Sequence, residues 1–210
     1  MNQDSVALRA AFGFLTVNEL AFLKELAGLC GPRPIFANIG AGPGTSALGL
    51  VEAREDCTLF TIDIQDESNP FGSLEGERSA FHNAGLSDLY NRVWFQVHGD
   101  SKEVGQSWLT REWTSPTPDR RYPLDLVFVD GDHSYAGCSG DILAWSPLLK
   151  SGGIIAFHDY DASRGGELIW SEVDRAVQEG CLAHPNRYVQ IGYVDTLVAF
   201  YHYPEASDGG

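Results

Sequence analysis

Apolar residues in this chain recur at two different periods. Over residues 6–29, Leu8, Phe12, Leu15, Leu20, Leu23 and Leu26 fall at the three-to-four-residue spacing of one helix face. Ser5 is a candidate cap at the start of that helix, and Gly31-Pro32-Arg33-Pro34 breaks it. Beyond the break the period shortens. Compact, nearly all-apolar runs predict strands at 35–39, 58–62, 92–97, 124–129, 153–157, 187–193 and 197–203. Helix-like stretches at 45–54, 76–84, 102–108 and 138–149 separate the first five, and another at 167–179 precedes the last two. Apolar strands alternating with helices predict a doubly wound α/β fold, a mostly parallel sheet covered on both faces. Only a short turn at 194–196 separates the final strands, so they form a hairpin and one of them runs antiparallel. Residues 66–73 and 115–123 read as surface loops. The chain divides into an N-terminal helical segment, 1–33, and an α/β domain, 34–205.

Composition narrows what such a domain can do. The 210 residues are 43% hydrophobic, enough for one core without disulfides or structural zinc. Formal net charge is -15, so most of the surface repels a polyanion, and nucleic acid is not an expected partner. Cys30, Cys57, Cys138 and Cys181 are far apart and include no CxxC pair, the usage of a reduced, cytoplasmic protein. The start, Met1-Asn2-Gln3-Asp4-Ser5, lacks the basic residues of a signal peptide, and no apolar run reaches the roughly 18 residues of a membrane span. No membrane partner is expected.

The strongest local signal is Asn38-Ile39-Gly40-Ala41-Gly42-Pro43-Gly44-Thr45-Ser46, which leaves the first strand and opens a helix. Glycines there let the backbone turn sharply and approach a ligand closely. About 20 positions further on, the second strand ends in Asp63-Ile64, where a carboxylate can accept hydrogen bonds from a ribose. The third strand leads into Gly99-Asp100-Ser101, beside the expected adenine position. Asp and Ser also favour helix N-caps, an alternative role for Asp100. NAD enzymes carry similar glycine loops. Taken in order over 35–159, however, these elements resemble the class I S-adenosylmethionine (SAM)-dependent methyltransferases, as does the closing hairpin. The resemblance implies a Rossmann-like, seven-stranded sheet with SAM as cofactor. It implies contacts from Asn38, Gly40, Ala41, Gly42, Gly44, Thr45, Ser46, Asp63, Ile64, Gly99, Asp100, Ser101 and Asp130. Asn38 departs from the family, which often has an acid at that position.

A second cluster, Val129-Asp130-Gly131-Asp132-His133-Ser134-Tyr135, follows the fourth strand, and Phe157-His158-Asp159-Tyr160 follows the fifth. Adjacent parallel strands bring Asp130 near His158 and Asp159, two carboxylates and an imidazole suited to a divalent cation. Asp132 either holds His133 or caps its loop, and Tyr135 and Tyr160 are candidates to line an acceptor pocket. The segment with Asp130 to Tyr135, Asp141, Leu148 to Gly153 and His158-Asp159 resembles bacterial small-molecule O-methyltransferases of the macrocin type. More distantly it is similar to catechol O-methyltransferase. That likeness implies Asp130, His158 and Asp159 as metal ligands, with Mg or Mn as the ion, and His133 with Asp130 as the catalytic residues. His158 stands where that enzyme has a carboxylate, and imidazole suits Mn, Fe or Zn better than Mg; alternatively His158 is a second acid/base group with no metal. The chemistry needs alignment of an acceptor hydroxyl with the sulfonium methyl, and removal of its proton. The expected activity is therefore methyl transfer to a hydroxyl of a small molecule: a sugar, polyketide or phenol. Two other readings stand beside it. An NAD-dependent oxidoreductase is weakened by the lack of a Tyr-x-x-x-Lys pair, and a non-catalytic SAM-binding module has no use for the second cluster. The first helix either covers the site or forms a contact in a homo-oligomer.

Overall fold

The computed structural model describes residues 14–64, 74–89, 92–113, 121–164 and 167–204. Its first element is helix α1 (Val17–Gly28). Thr16 caps it: the Thr16 hydroxyl accepts from Glu19 N at 3.1 Å, and the Glu19 carboxylate accepts from Thr16 N at 2.7 Å. This capping box corrects the expectation of one helix over 6–29. Residues 14–16 are not helical, because a Thr with Glu three positions later starts a helix whatever the apolar spacing before it. The part of that expectation over residues 1–13 lies outside the described residues.

The sheet and its helices follow in order. They are β1 (Ile35–Ile39), α2 (Thr45–Ala53), β2 (Thr58–Asp63), α3 (Leu74–Asn83), β3 (Trp94–His98), α4 (Ser101–Ser107), β4 (Leu124–Val129), α5 (Tyr135–Trp145) and β5 (Leu149–Phe157). A two-residue ribbon of β6 (Ser163–Arg164) and β7 (Glu167–Leu168) then leads to α6 (Ser171–Val177) and the closing β8 (Tyr188–Val194) and β9 (Leu197–His202). Three further boundaries differ from expectation by four residues. The helix expected at 138–149 ends at Trp145. β5 begins at Leu149 rather than 153, pairing with Leu124 before a register shift. The helix expected at 167–179 starts only at Ser171, because Glu167 and Leu168 pair with Arg164 and Ser163. Of the two expected surface loops, 66–73 and 115–120 lie outside the described residues.

Seven strands form one sheet in the order β3-β2-β1-β4-β5-β9-β8, with β9 antiparallel to both neighbours and the other pairings parallel. Strand order reverses between β1 and β4, the position where open α/β sheets bind ligands. In register, Ile39 lies beside Ile62 and Val129, and Val129 beside Phe157. The residues just past these strand ends therefore share one edge. One face of the sheet is packed by α4, α5 and α6 through Val104, Trp145 and Val177. The other is packed by α1, α2 and α3 through Leu23, Leu50 and Phe81. α1 thus shares a core with the sheet. All four cysteines are free and buried, and burial pushes Cys30, Cys57 and Cys138 up to about 12. Among the described residues no helix is long and apolar enough to cross a membrane.

Candidate active site

The glycine loop is built by close backbone approach. Gly40 N donates to Ile62 O at 2.8 Å, and Asp130 N to Ile39 O at 2.9 Å, tying the loop to β2 and β4. A Cβ on Gly40, at φ +89°, would lie 2.1 Å from the Asp130 carbonyl oxygen, so only glycine fits. Gly42, at φ +49°, differs: a Cβ there meets nothing within 4 Å. Gly44 lies against α3, where a Cβ would come 2.9 Å from Glu77 Cα, and Thr45 and Ser46 are buried in the first turn of α2.

Asp63 and Asn38 brace this loop from both sides. The Asp63 carboxylate accepts from Ala41 N at 2.8 Å, and Asn38 Nδ2 donates to Gly40 O at 3.0 Å. Asn38 is fully buried, yet its Oδ1 has no partner among the described residues. Ile64 is exposed, with its carbonyl 2.8 Å from His98 Nε2. Gly99 N donates to Asp63 O, bringing the third strand end alongside. Asp100 caps α4 by accepting from Lys102 N at 2.9 Å, and it pairs with Lys102 Nζ at 3.3 Å. The Ser101 hydroxyl donates to Asp141, a buried acid whose desolvation raises it to about 6 despite that hydrogen bond.

Across the strand-order reversal, the ends of β4 and β5 bring four titratable side chains together. His133 Nε2 lies 2.7 Å from Asp159 Oδ2 and 3.8 Å from Asp130 Oδ1. His158 Nδ1 lies 3.1 Å from Asp130 Oδ1 and 3.4 Å from Asp159 Oδ2. The His158 ring is buried, with Nε2 facing Glu19 of α1 at 3.4 Å. Both its nitrogens therefore meet carboxylates. Burial opposes charge on His158, but Asp130, Asp159 and Glu19 outweigh it and push the ring up to about 12. Burial would raise both acids, yet hydrogen bonds from the two histidines hold Asp159 well below the usual carboxylate range, and His158 with Thr196 and Thr16 holds Glu19 at about 2. Burial also lowers His133, and the Asp159 hydrogen bond overcomes it to give a raised pKa. Asp159 sits at φ +59°, a backbone state that Asp tolerates better than most residues.

The neighbouring side chains have separate duties. Asp132 accepts from Ser134 N at 2.9 Å, so it shapes the loop. Tyr135 donates to Glu179 with Arg175 over its ring, and Tyr160 packs edge-on against Tyr193. Trp170 lies over His133 with ring centroids 4.5 Å apart. With Ile169, Gly131, Asp132 and Glu172 it lines a cleft of about 580 Å³ beside His133. Sequence reasoning missed Glu19 and Trp170. The Thr-x-x-Glu pattern at 16–19 signals a cap, whereas nothing local marks Trp170.

A family model for a methyltransferase domain matches residues 37–160. An uncharacterized protein of Acanthamoeba polyphaga mimivirus is 28% identical over 90 residues, which are 42% of this chain and 41% of that protein; the match thus spans less than half of this curated relative. Among solved structures, an O-methyltransferase from Bacillus cereus in complex with S-adenosylhomocysteine (SAH) superposes with TM-score 0.65 at 16% identity, covering 95% of this chain and 90% of that one. The MycE methyltransferase of the mycinamycin biosynthetic pathway, in complex with Mg and SAH, gives 0.64 at 14% identity, covering 100% and 56%. A candidate rRNA methylase from Clostridium thermocellum gives 0.61 at 16% identity, covering 88% and 97%. At these identities the structural likeness is one of fold.

Proposed function

The chain belongs to the methyltransferase-domain family, and we propose that it moves a methyl group from SAM to a hydroxyl of a small molecule such as a sugar, polyketide or phenol. One observation carries this reading: an imidazole held by a carboxylate at 2.7 Å, on the strand end that touches the glycine loop. SAM, when bound, supplies a methyl already activated by its sulfonium. The chain's own groups do the rest. The glycine loop offers backbone amides, and Asp63 offers ribose acceptors. His133 donates from Nε2 to Asp159, which leaves Nδ1 as proton acceptor for the incoming hydroxyl. Trp170 and Ile169 give the acceptor an apolar wall. The charge of -15 favours a small acceptor over a nucleic acid.

A second reading rests on the donor set. Asp130, His133 and Asp159 each offer one ligand atom, all within 4.8 Å of one another. Two carboxylates and an imidazole fit Mn, Fe or Zn, and such an ion, when bound, lowers the pKa of a hydroxyl beside it. This set has His133 where the sequence offered His158, whose Nδ1 also lies 3.1 Å from Asp130 and 3.4 Å from Asp159. In this reading His133 is a ligand and not the free proton acceptor.

Calorimetric titration of the metal-stripped chain with SAH, with NAD⁺, and with SAH plus Mn²⁺ tests the proposal. Micromolar binding of SAH with none of NAD⁺ is expected, and no SAH binding under any condition overturns it. His133→Ala should abolish methyl transfer while SAH affinity stays within about twofold; equal loss of both refutes the role of His133. Activity that survives chelation favours the free proton acceptor, and activity restored only by Mn²⁺ favours the ligand.

A further inference from the structure

The geometry points to Glu19, on the N-terminal helix, as a positioning residue for the His133–Asp159 pair, an inference that rests on the methyl-transfer reading for what the pair does. Glu19 is almost wholly buried, with both carboxylate oxygens in use. Oε1 accepts from Thr196 N at 2.8 Å and from the Thr196 hydroxyl at 2.6 Å. Oε2 accepts from Thr16 N at 2.7 Å and faces His158 Nε2 at 3.4 Å. One side chain of α1 therefore joins the β8–β9 turn to the end of β5.

These links close around Asp159. On its N-terminal side, His158 is held between Glu19 and Asp130. On its C-terminal side, Tyr160 N donates to Thr196 O at 3.0 Å, and Thr196 is itself held by Glu19. Asp159, between these two anchors, has φ +59°. A left-handed residue of this kind persists where its surroundings fix it from both sides. Glu19 takes part in both anchors. Its carboxylate thereby fixes where the Asp159 carboxylate points, and with it the His133 ring 2.7 Å away. The start of α1 is docked on the same turn by a second route, since the Thr16 hydroxyl donates to Asp195 at 2.6 Å. That second route separates a helix-docking role from a site-positioning role.

The test compares Glu19→Gln with Thr16→Ala in the full chain saturated with SAH. Gln keeps an oxygen for Thr196 but turns an amide donor toward His158 and Thr16 N. Thr16→Ala removes the cap and the Asp195 contact but keeps the Glu19 carboxylate. The readouts are the ring N–H and C–H signals of His158 and His133 by NMR of histidine-labelled protein, together with Tm and calorimetric SAH affinity. Expected for Glu19→Gln is loss of the exchange-protected His158 Nε2–H signal and a shift of the His133 ring signals, with SAH Kd within about twofold of wild type. Expected for Thr16→Ala is a lowered Tm with both rings unmoved. Unmoved His133 signals in Glu19→Gln overturn the inference, as do signals that move equally in both variants. Should Glu19→Gln fail to fold, Glu19→Asp, one methylene shorter, takes its place with the same criteria. Failure of wild-type protein to bind SAH overturns the methyl-transfer reading, a result read separately from the ring signals.

Discussion

Replacing Gly40 and Gly42 singly by alanine separates the structural from the ligand-facing part of the glycine loop. At Gly40 the new Cβ would lie 2.1 Å from the Asp130 carbonyl oxygen. A comfortable C···O contact is about 3.3 Å, so the two segments must part by about 1 Å. They cannot do so freely, because Gly40 N is held by Ile62 O at 2.8 Å and Asp130 N by Ile39 O at 2.9 Å. Breaking one such bond costs about 1 kcal/mol, and left-handed backbone costs an alanine about 1–2 kcal/mol more. Gly40→Ala should therefore lose on the order of 3 kcal/mol of stability, and SAH binding with it as Asp130 is displaced. At Gly42 the Cβ meets nothing within 4 Å, so only the backbone cost of about 1–2 kcal/mol applies. In the proposed function that open space takes the cofactor, so Gly42→Ala should raise the Kd for SAH at least tenfold, about 1.4 kcal/mol. Urea unfolding without ligand and calorimetry with SAH measure the two effects independently. Wild-type SAH affinity in Gly42→Ala, or a wild-type urea midpoint in Gly40→Ala, refutes the reasoning.

Three further outcomes are expected. Asp63→Ala removes the acceptor of the Ala41 amide and the proposed ribose contact, so SAH Kd should rise about tenfold or more for a stability loss of about 1 kcal/mol; an unchanged Kd would remove Asp63 from the cofactor site. Trp170→Ala should raise the acceptor KM several-fold with SAH Kd unchanged, and an unchanged KM would place the acceptor elsewhere. The third concerns pH: Glu77 is fully buried, and desolvation raises it from 4.5 to about 8 despite hydrogen bonds from Gln96, Thr61 and Trp94. Its protonated form is favoured by folding, so its contribution is full below about pH 4.5 and is lost as pH rises toward 8, at up to about 1.4 kcal/mol per unit. Urea unfolding across pH 5 to 8 should show that decline in wild type and a flatter profile in Glu77→Gln, and equal slopes would refute the assignment.

Much of this architecture was legible because it rests on local periodicity. The sheet, its closing hairpin, the glycine loop and Asp63 follow from apolar runs and the residues that end them. Asp130 and Asp159 came together because β4 and β5 are adjacent and in register at Val129 and Phe157. The misread boundaries are places where a short-range hydrogen-bonding pattern overrides spacing. A capping box starts α1 at Thr16, and paired residues 167–168 delay α6. The Ser151-Gly152-Gly153 stretch, of which only Gly153 was expected in the strand, lies inside β5, with Gly152 at φ +73°.

Glu19 was illegible for a different reason. Its position three residues after Thr16 already explains it locally as a helix cap. A cap at an exposed helix end leaves its carboxylate in water, but here the sheet buries it, and a buried carboxylate needs more partners than one helix end provides. Those partners, His158 and Thr196, lie 139 and 177 positions away, distances over which periodicity carries no information. Trp170 lies over His133 from 37 positions along the chain, again beyond the reach of periodicity. The strands fix which atoms lie at the edge of the sheet. The aim of those atoms depends on long-range polar contacts, and a buried polar residue with a sufficient local explanation is where such contacts are most easily overlooked.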